Sequence, residues 1–365
     1  MKTHYIIPIF VPHLGCEHDC VFCNQRVITG QQQAARASDV TKIVLEHLAT
    51  IPQHAYKEIA FYGGSFTGIP IAEQERLLAA AYAFKQKKIV DGIRISTRPD
   101  YISSNILELM LKYEVTTIEL GVQSLDEQVL EKARRGHDKK DILTAVAVIR
   151  QFDFNLGIQL MVGLPGDDAQ KAVDSAQEVA LLKPDFVRIY PAVVLAGTTL
   201  AELYRENSYQ PLSLYDAVQW SAMMLLVFEQ AEIPVIRIGL QPSADISVGG
   251  SIIAGPFHPA FRELVESEIA YLMMSSLVQK LCSKPYGVTF WVNPRNISVV
   301  IGQKRTNIKK LCEEYGVLHV TIHPQSSIQR GELVLAMADD VYYGLQITKK
   351  ELAGHELSQF QSLDH

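Results

Sequence analysis

Three cysteines close to the start of the chain are the residues best suited to redox or metal chemistry. Cys16, Cys20 and Cys23 have the spacing C-x3-C-x2-C and directly follow a short apolar run. Three thiolates this close can ligate one cubane iron–sulfur cluster, which would leave its fourth iron open to another ligand. A Cys3His zinc site that includes His13 or His18 is the alternative. Structural zinc sites usually use two separated C-x2-C pairs, and the sequence has no second pair.

Length and composition predict an ordinary soluble protein of one to three domains. The chain has 365 residues, of which 48% are hydrophobic and 20% are charged. No apolar run approaches the roughly 18–20 residues that a membrane span requires, and the N-terminus lacks the small-residue cleavage site of a signal peptide. The odd count of five cysteines favours metal ligation in a reducing cytoplasm over a disulfide framework. We therefore expect a cytoplasmic protein without a membrane partner.

The charge is unevenly distributed along the chain. The net charge is −6, yet residues 284–330 contain seven lysines and arginines against two glutamates, a local charge of +5. The rest of the chain is correspondingly acidic. A basic C-terminal module on an acidic body is a candidate contact surface for a polyanion.

The first two thirds of the chain alternate strand-like and helix-like segments. The predicted strands cover residues 5–11, 58–62, 92–96, 117–121, 156–162, 186–190 and 234–238. The predicted helices of this part cover residues 40–48, 71–84, 103–113, 125–134, 141–150, 169–182 and 214–229. The alternation stops after residue 241, where a helix is predicted over 260–281, followed by strands over 288–292, 297–301, 317–322 and 332–337 and a helix over 306–315. Apolar strands that alternate with helices pair in parallel with the helices outside. About six such units predict an α/β fold, a partial TIM-type (β/α)6 barrel, whose chemistry lies at the C-terminal ends of the strands.

Glycine, proline and polar residues follow the predicted strands at this same end. The segments are Gly63–Thr67, Thr97–Asp100, Val122–Ser124, Gly163–Gly166 and Tyr190-Pro191. Each has a structural explanation as well, because a glycine pair after a strand is often only a turn, and Arg98 with Asp100 could be a structural salt bridge.

The cysteine spacing together with these motifs resembles the radical S-adenosylmethionine (radical SAM) superfamily. Over residues 5–240 the set resembles the radical SAM domain of the Elongator catalytic subunit and, more loosely, coproporphyrinogen dehydrogenase. The resemblance implies a [4Fe-4S] cluster and S-adenosylmethionine (SAM) as cofactors. It implies three cluster ligands, Cys16, Cys20 and Cys23.

The resemblance also implies a binding site for SAM. Gly63, Gly64 and Ser65 would line its methionine amine, and Arg135 would meet its carboxylate. The remaining candidates are Phe22, Gln123, Gln159 and Gly163, near the ribose and adenine. Simple core packing for Phe22 and a solvated helix charge for Arg135 are the structural alternatives.

Three departures from the family pattern limit what can be transferred. Ser96 stands where relatives commonly have a SAM-contacting glutamate, and the first two cysteines are closer together than in many Elongator proteins. The sequence also lacks an R/Q-x-x-G-x-G/A acetyl-CoA loop. We therefore expect no acetyltransferase lobe and do not transfer the full Elongator chemistry.

The basic C-terminal module is similar to a KH domain. Residues 299–311 read as an apolar strand, a loop that begins at Gly302, and a helix. Arg305 stands where KH domains have the second glycine of a G-x-x-G loop, which clamps nucleotide backbone. Candidate RNA contacts are Gly302, Lys304, Arg305 and Lys309, whereas a small cap with a solvated basic face is the structural alternative. We expect three regions: a radical SAM barrel with extension over 1–282, a KH-like domain over 283–348 and a polar tail over 349–365.

The resulting expectation is a radical SAM enzyme that generates a 5′-deoxyadenosyl radical and modifies RNA, with tRNA as the expected partner. An external electron donor such as flavodoxin or ferredoxin would reduce the cluster. The candidate substrate-facing residues at late strand ends are Arg188, Tyr190, Arg237 and Gln241. Two alternatives remain: a radical SAM enzyme acting on a small molecule such as a tetrapyrrole, and a non-catalytic RNA-binding protein.

Overall fold

The computed structural model describes residues 4–11, 20–24, 35–241, 250–281, 285–339 and 341–362. Cys16, His13 and His18 therefore lie outside the described residues, as does the predicted domain boundary near Ser283. The contacts divide the chain into two compact units. The first contains residues 1–212 and 241–257, and the second contains residues 213–240 and 258–365. The division at 282 and 348 stays a prediction.

The first unit is a parallel sheet of six strands that pair in chain order. The strands are β1 (His4–Val11), β2 (Tyr56–Gly63), β3 (Gly92–Thr97), β4 (Thr117–Gln123), β5 (Asn155–Val162) and β6 (Phe186–Pro191). The intervening helices are α1 (Ala37–Leu48), α2 (Ile71–Gln86), α3 (Ser104–Lys112), α4 (Glu127–Lys132), α5 (Lys139–Ile149) and α6 (Ala169–Leu181). A short pair, β7 (Val194–Leu195) and β9 (Ile252–Ala254), and helix α7 (Thr199–Arg205) complete this unit.

The two faces of this sheet differ in chemistry because side chains alternate along a strand. One face is buried and apolar, and it includes Ile59, Ile93, Ile118, Ile158 and Val187. The other face carries buried charged and polar side chains. The apolar face packs against the helices, so the polar face is the inside of the curled sheet. The predicted α/β partial barrel is confirmed.

Side-chain caps fix where several helices of the first unit begin. The side chains of Ser103, Asp126, Asp138 and Asp168 each accept a backbone N–H from the first turn of the helix that follows. These caps end the turns that follow β3, β4, α4 and β5, and candidate site residues such as Arg135 and Gly163 lie in these turns.

The second unit combines two long helices with a four-stranded sheet. Its elements are α8 (Leu214–Gln230), β8 (Val235–Ile238), α9 (Phe261–Gln279), β10 (Gly287–Val292), α10 (Ile297–Ile301), α11 (Thr306–Tyr315), β11 (His319–Pro324), β12 (Glu332–Ala338), β13 (Val341–Thr348) and α12 (Lys349–Ser362). The sheet order is β11-β10-β12-β13, and β10 pairs in parallel with β11 and antiparallel with β12. Among the described residues, no helix is long and apolar enough to cross a membrane.

Two features of this unit differ from the sequence expectation. Residues 297–301, predicted as a strand, form helix α10, because a largely apolar segment of only five residues fits either period. The segment predicted as a polar tail contains helix α12, whose Leu352, Ala353 and Leu357 are buried. Its first residue, Lys349, makes ion pairs with Glu229 and Glu266 within the same unit.

Candidate functional site

Two of the three predicted cluster ligands lie in one tight turn. The backbone N–H of Cys23 donates to the carbonyl of Cys20 at 3.0 Å. Between them, the Val21 N–H donates to Ala133 O at 3.1 Å, and Val21 O accepts from Leu200 N at 2.7 Å. The turn is therefore tied to the end of α4 and the start of α7. No group of three metal-binding side chains forms within the described ranges, so a third ligand would come from outside them, where Cys16 lies.

Arg135 contacts this turn directly. Its Nη1 donates to Cys20 Sγ at 2.9 Å and its Nη2 donates to Gly121 O at 2.5 Å. The guanidinium lies 5.8 Å from the centre of the Phe22 ring, and Arg135 is only 4% exposed. Its Nε is buried and has no hydrogen-bond partner among the described residues. The solvated-charge interpretation of Arg135 is therefore wrong.

A second buried guanidinium belongs to the same cluster of side chains. Arg98 donates from Nε and Nη2 to the two oxygens of Asp100 at 2.9 and 2.7 Å. Burial alone would lower the pKa of Arg98, but Asp100 and the sulfur of Cys20 raise it. His137 Nδ1 lies 3.7 Å from Asp100 Oδ1. Burial, Arg135 and Arg98 lower the pKa of His137 to about 3, so its ring is neutral at physiological pH.

The glycine pair after β2 lies beside the end of β1. Gly63 is in register with Val11, and the Gly64 N–H donates to Val11 O at 3.1 Å. Gly63 has a φ of +107°, a conformation that favours glycine. Ser65 follows and is 2% exposed. The structure thus brings these three predicted SAM-binding residues next to the strand that leads into the cysteine segment.

Gln123 at the end of β4 meets Gln159 within β5. Gln159 Nε2 donates to Gln123 Oε1 at 3.2 Å. The pairing of the two strands shifts register between Gly121 and Gln123, and Gln123 has a φ of +74°. This irregularity leaves Gly121 O available to Arg135, and a side chain at Gly121 would come within 3.0 Å of Gln123 Nε2.

The turn after β5 contains a buried acid. The Gly163 N–H donates to Asp167 Oδ2 at 2.8 Å, and Tyr209 Oη donates to Gly163 O at 2.6 Å. Burial raises the pKa of Asp167 to about 7 despite the two backbone N–H groups, from Gly163 and Asp168, that it accepts. The turn lines a cavity of about 300 Å³ that also contacts Lys132 and Leu212.

A buried ionic network occupies the inner face of the sheet. Glu119 of β4 contacts Arg188 of β6, with Nε at 2.9 Å from Oε2, and contacts Arg94 of β3, with Nη1 at 2.5 Å from Oε1. Arg94 Nη2 also donates to Glu58 Oε2 at 2.6 Å. Burial would lower the pKa of Arg188, but Glu119 and the neighbouring tyrosines raise it.

Two tyrosines border this network. Arg188 donates to Tyr62 Oη at 3.0 Å and to Tyr190 Oη at 3.3 Å, and Tyr62 donates to Glu119 Oε1 at 3.2 Å. The predicted substrate-facing pair Arg188 and Tyr190 therefore lies together. Arg237, the third candidate, is half-buried in β8 of the second unit, and Gln241 is exposed where the chain returns to the first unit.

The candidate RNA-binding loop lies between two helices, α10 and α11. Gly302, Lys304 and Arg305 have φ values of +75°, +52° and +62°. Arg305 therefore holds the left-handed conformation that glycine favours, although its side chain is large and exposed. Lys309 follows in α11, and its side chain is exposed as well.

Several buried residues of the site were absent from the sequence prediction. They are Glu58, Arg94, Glu119, Tyr62, His137 and Asp167. A signal for Arg94 and Glu119 was present, because charged residues at the centre of predicted buried strands are rare unless they pair. Nothing comparable distinguished His137 or Asp167, which lie in turns where polar residues are common.

Comparisons with known proteins place this geometry in a family. The radical SAM superfamily model matches residues 10–179, and the radical SAM C-terminal domain model matches residues 184–271. An uncharacterized protein of Methanocaldococcus jannaschii is 29% identical over 211 residues, which cover 54% of this chain and 64% of that protein. The tRNA uridine(34) acetyltransferase of the same organism is 34% identical over 200 residues, which cover 49% of this chain and 37% of that protein.

A solved structure has a similar fold. Archaeal Elp3 of Methanocaldococcus infernus, lacking residues 1–46, aligns with a TM-score of 0.58 and 21% identity, covering 74% of this chain and 63% of that one. The chain thus spans less than two thirds of each of these three proteins. The two matched segments follow one another along the chain and cover the sheet, the cysteine turn and the strand ends described above. The chain belongs to the radical SAM superfamily of enzymes, which use a [4Fe-4S] cluster and SAM.

Proposed function

We propose that this chain is a radical SAM enzyme that modifies RNA, with tRNA as its substrate. The observation that carries the proposal is the charge balance of the inner face. There the two arginines of β3 and β6, Arg94 and Arg188, are paired with Glu58 and Glu119. The 34% identity to a tRNA uridine(34) acetyltransferase over 200 residues supports the choice of tRNA.

The side chains around the cysteine turn suit the binding of an iron–sulfur cluster and of SAM. Cys16, Cys20 and Cys23 would hold the cluster. A buried Arg135 N–H already contacts one of these sulfurs, that of Cys20. The residues proposed around SAM are Phe22, Gly63, Gly64, Ser65, Gln123, Arg135, Gln159 and Gly163. The chemistry that such a cluster would supply when bound is the one-electron reduction of SAM to methionine and a 5′-deoxyadenosyl radical.

The inner face favours a neutral polar substrate group over an anionic one. Both described arginines on the inner face of the first unit's strands have carboxylate partners, so a substrate carboxylate would have to displace Glu119 or Glu58. The hydroxyls of Tyr62 and Tyr190 and the amide of Gln159 can hydrogen-bond the edge of a base. A tetrapyrrole with several carboxylates fits this balance poorly. Arg188, Tyr190, Arg237 and Gln241 are the proposed substrate contacts.

The loop of the second unit would hold the RNA backbone. Lys304 and Arg305 are exposed, adjacent and at the start of α11, where a helix N-terminus also favours phosphate. Gly302 provides the sharp entry into the loop, because a Cβ there would lie 2.6 Å from Thr306 Oγ1. Lys309 would extend the contact along the same helix.

A binding experiment tests the RNA assignment. We expect Lys304→Ala/Arg305→Ala to weaken tRNA binding by about tenfold or more at low salt and to reduce the salt dependence of the affinity. Lys87→Ala/Lys88→Ala is the matched control, since it removes two adjacent exposed lysines at the end of α2, one of them also at positive φ. Equal binding by both double variants would overturn the role of the loop.

A chemical experiment tests the reaction. The anaerobically reconstituted full chain should release 5′-deoxyadenosine from SAM under a low-potential reductant, and added tRNA should increase that release. Mass spectrometry of tRNA from a deletion strain should show a missing modified nucleoside. Stimulation by a tetrapyrrole with no effect of tRNA would favour the small-molecule reaction. A fully loaded cluster that cleaves no SAM would favour an RNA-binding protein without catalysis.

A further partner and a cellular compartment follow from the proposed reaction. Reduction of the cluster requires a one-electron donor, for which flavodoxin or ferredoxin is the expected class. A reducing compartment, the cytoplasm, would keep the cysteines available as thiolates.

A further inference from the structure

We propose that Arg135 acts through Cys20 to raise the reduction potential of the cluster, in addition to any contact with SAM. The inference rests on the superfamily cofactor and on the contacts of Arg135, and it is independent of which substrate the enzyme takes. It assigns to this side chain a role that is already in place before SAM binds.

The geometry places a charged donor on a ligand sulfur. Arg135 Nη1 lies 2.9 Å from Cys20 Sγ, and Nη2 is held at 2.5 Å by Gly121 O. The second contact fixes the plane of the guanidinium, because the carbonyl belongs to the end of β4 at its register shift. Both Arg135 and Cys20 are at least nine-tenths buried, so water does not screen the pair.

Among the described residues, the hydrogen bonds of Arg135 go to Cys20 Sγ and Gly121 O, and none goes to a carboxylate. Arg98 is also buried beside Cys20, and it takes both oxygens of the nearby Asp100. His137, which packs against Asp100, is neutral at physiological pH. Among the described side chains, two guanidinium groups therefore lie beside one carboxylate, and the group that Arg135 Nη1 contacts is the Cys20 sulfur.

This balance favours the reduced cluster. One-electron reduction by a low-potential donor adds one negative charge to the cluster and its thiolates. The potential of iron–sulfur clusters depends on net charge, on hydrogen bonds to the sulfurs and on exposure to solvent. A fixed cation that donates to a ligand sulfur stabilises the added charge, which raises the potential.

The test is a redox titration of the reconstituted full chain without SAM, followed by the electron paramagnetic resonance signal of the reduced cluster. We expect Arg135→Gln to lower the ratio of reduced to oxidised cluster at a fixed solution potential by roughly tenfold, a shift of about 59 mV for a one-electron couple. Arg134→Gln is the matched control, because it removes the same charge from the adjacent exposed residue. It should leave the potential within error of the parent protein.

The alternative role of Arg135 gives a different result. If it only binds the SAM carboxylate, Arg135→Gln weakens SAM binding and leaves the SAM-free potential unchanged, which would overturn the proposal. Arg135→Lys keeps the charge and covers the case in which Arg135→Gln fails to load a cluster. It should lower the potential less than the glutamine variant does. A loaded Arg135→Lys variant whose potential falls as far as that of a loaded Arg135→Gln variant would also contradict the inference, as would, where the glutamine variant does not load, a potential above that of the parent protein.

Discussion

Arg188 and Glu119 face each other across the inside of the sheet through two contacts, Nε to Oε2 at 2.9 Å and Nη2 to Oε1 at 3.0 Å. Glu119 is shared, because Arg94 also contacts it. Arg188 has one carboxylate partner, whereas Glu119 has two guanidinium partners. Removing Glu119 therefore takes a carboxylate partner from two arginines, whereas removing Arg188 leaves Glu119 with Arg94.

This inequality predicts different losses of stability. Glu119→Leu leaves Arg188 without a carboxylate and Arg94 with Glu58 alone, so we expect a loss of about 3–5 kcal/mol in the free energy of unfolding. Arg188→Met leaves Glu119 paired with Arg94 and should cost clearly less. The double variant Glu119→Leu/Arg188→Met should be more stable than Glu119→Leu. Urea unfolding of the full chain measures all three, and additive losses would contradict the coupling.

Asp167 predicts a pH dependence of stability. Its pKa in the folded chain is about 7, above the ordinary value of 3.8. The folded state therefore binds this proton more tightly than the unfolded state does. The resulting stability is fully present below about pH 4 and is lost as the pH rises through 7.

The Asp167→Asn variant removes this titration while keeping an acceptor for the Gly163 N–H. We expect the stability of the variant relative to the parent to grow with pH by up to about 1.4 kcal/mol per unit and to level off above pH 7. Urea midpoints between pH 4 and 9 measure the difference. Parallel curves for the two proteins would show that Asp167 is ionised throughout this range.

The close packing around Gly157 in β5 predicts that a larger residue at this position destabilises the protein. A Cβ at this position would lie 2.3 Å from the ring of Phe186, whose position is also fixed by Arg94 at 4.9 Å from the ring centre. Gly157→Ala should lower the free energy of unfolding by about 1–3 kcal/mol through overpacking. Gly354→Ala, in helix α12 with open space around it, should instead raise it by up to about 1 kcal/mol. Thermal unfolding of both variants is the measurement.

Substitutions of Arg305 can separate the effect of its strained backbone on stability from the effect of its positive charge on RNA binding. Arg305→Gly should be more stable than Arg305→Ala by about 1 kcal/mol, because both lose the charge but only glycine relieves the left-handed conformation. Both variants should bind tRNA more weakly than the parent. Equal stability of the two would mean that the loop adopts another conformation in solution.

Sequence reasoning located most of the elements, since β1 to β6 are apolar on one face and end in recognisable turns. Its assignment of Gly63, Gln123 and Arg135 to a SAM site stays a prediction, although the structure does bring Arg135 to one of the predicted cluster ligands. Sequence reasoning did not identify Cys20 as the partner of Arg135, because 115 positions separate the two residues and a register shift between Gly121 and Gln123 orients the guanidinium. Helix α10 was missed for a different reason, since its short apolar run is compatible with a strand.

The two backbone hydrogen bonds of Val21 have a consequence for the order of events during synthesis. The partners of Val21, Ala133 and Leu200, leave the ribosome long after the cysteines do. A nascent chain therefore exposes its thiols before the segments that hold the turn exist. Cluster insertion into the finished geometry must follow translation of α7, and premature oxidation of the thiols is the hazard of that interval.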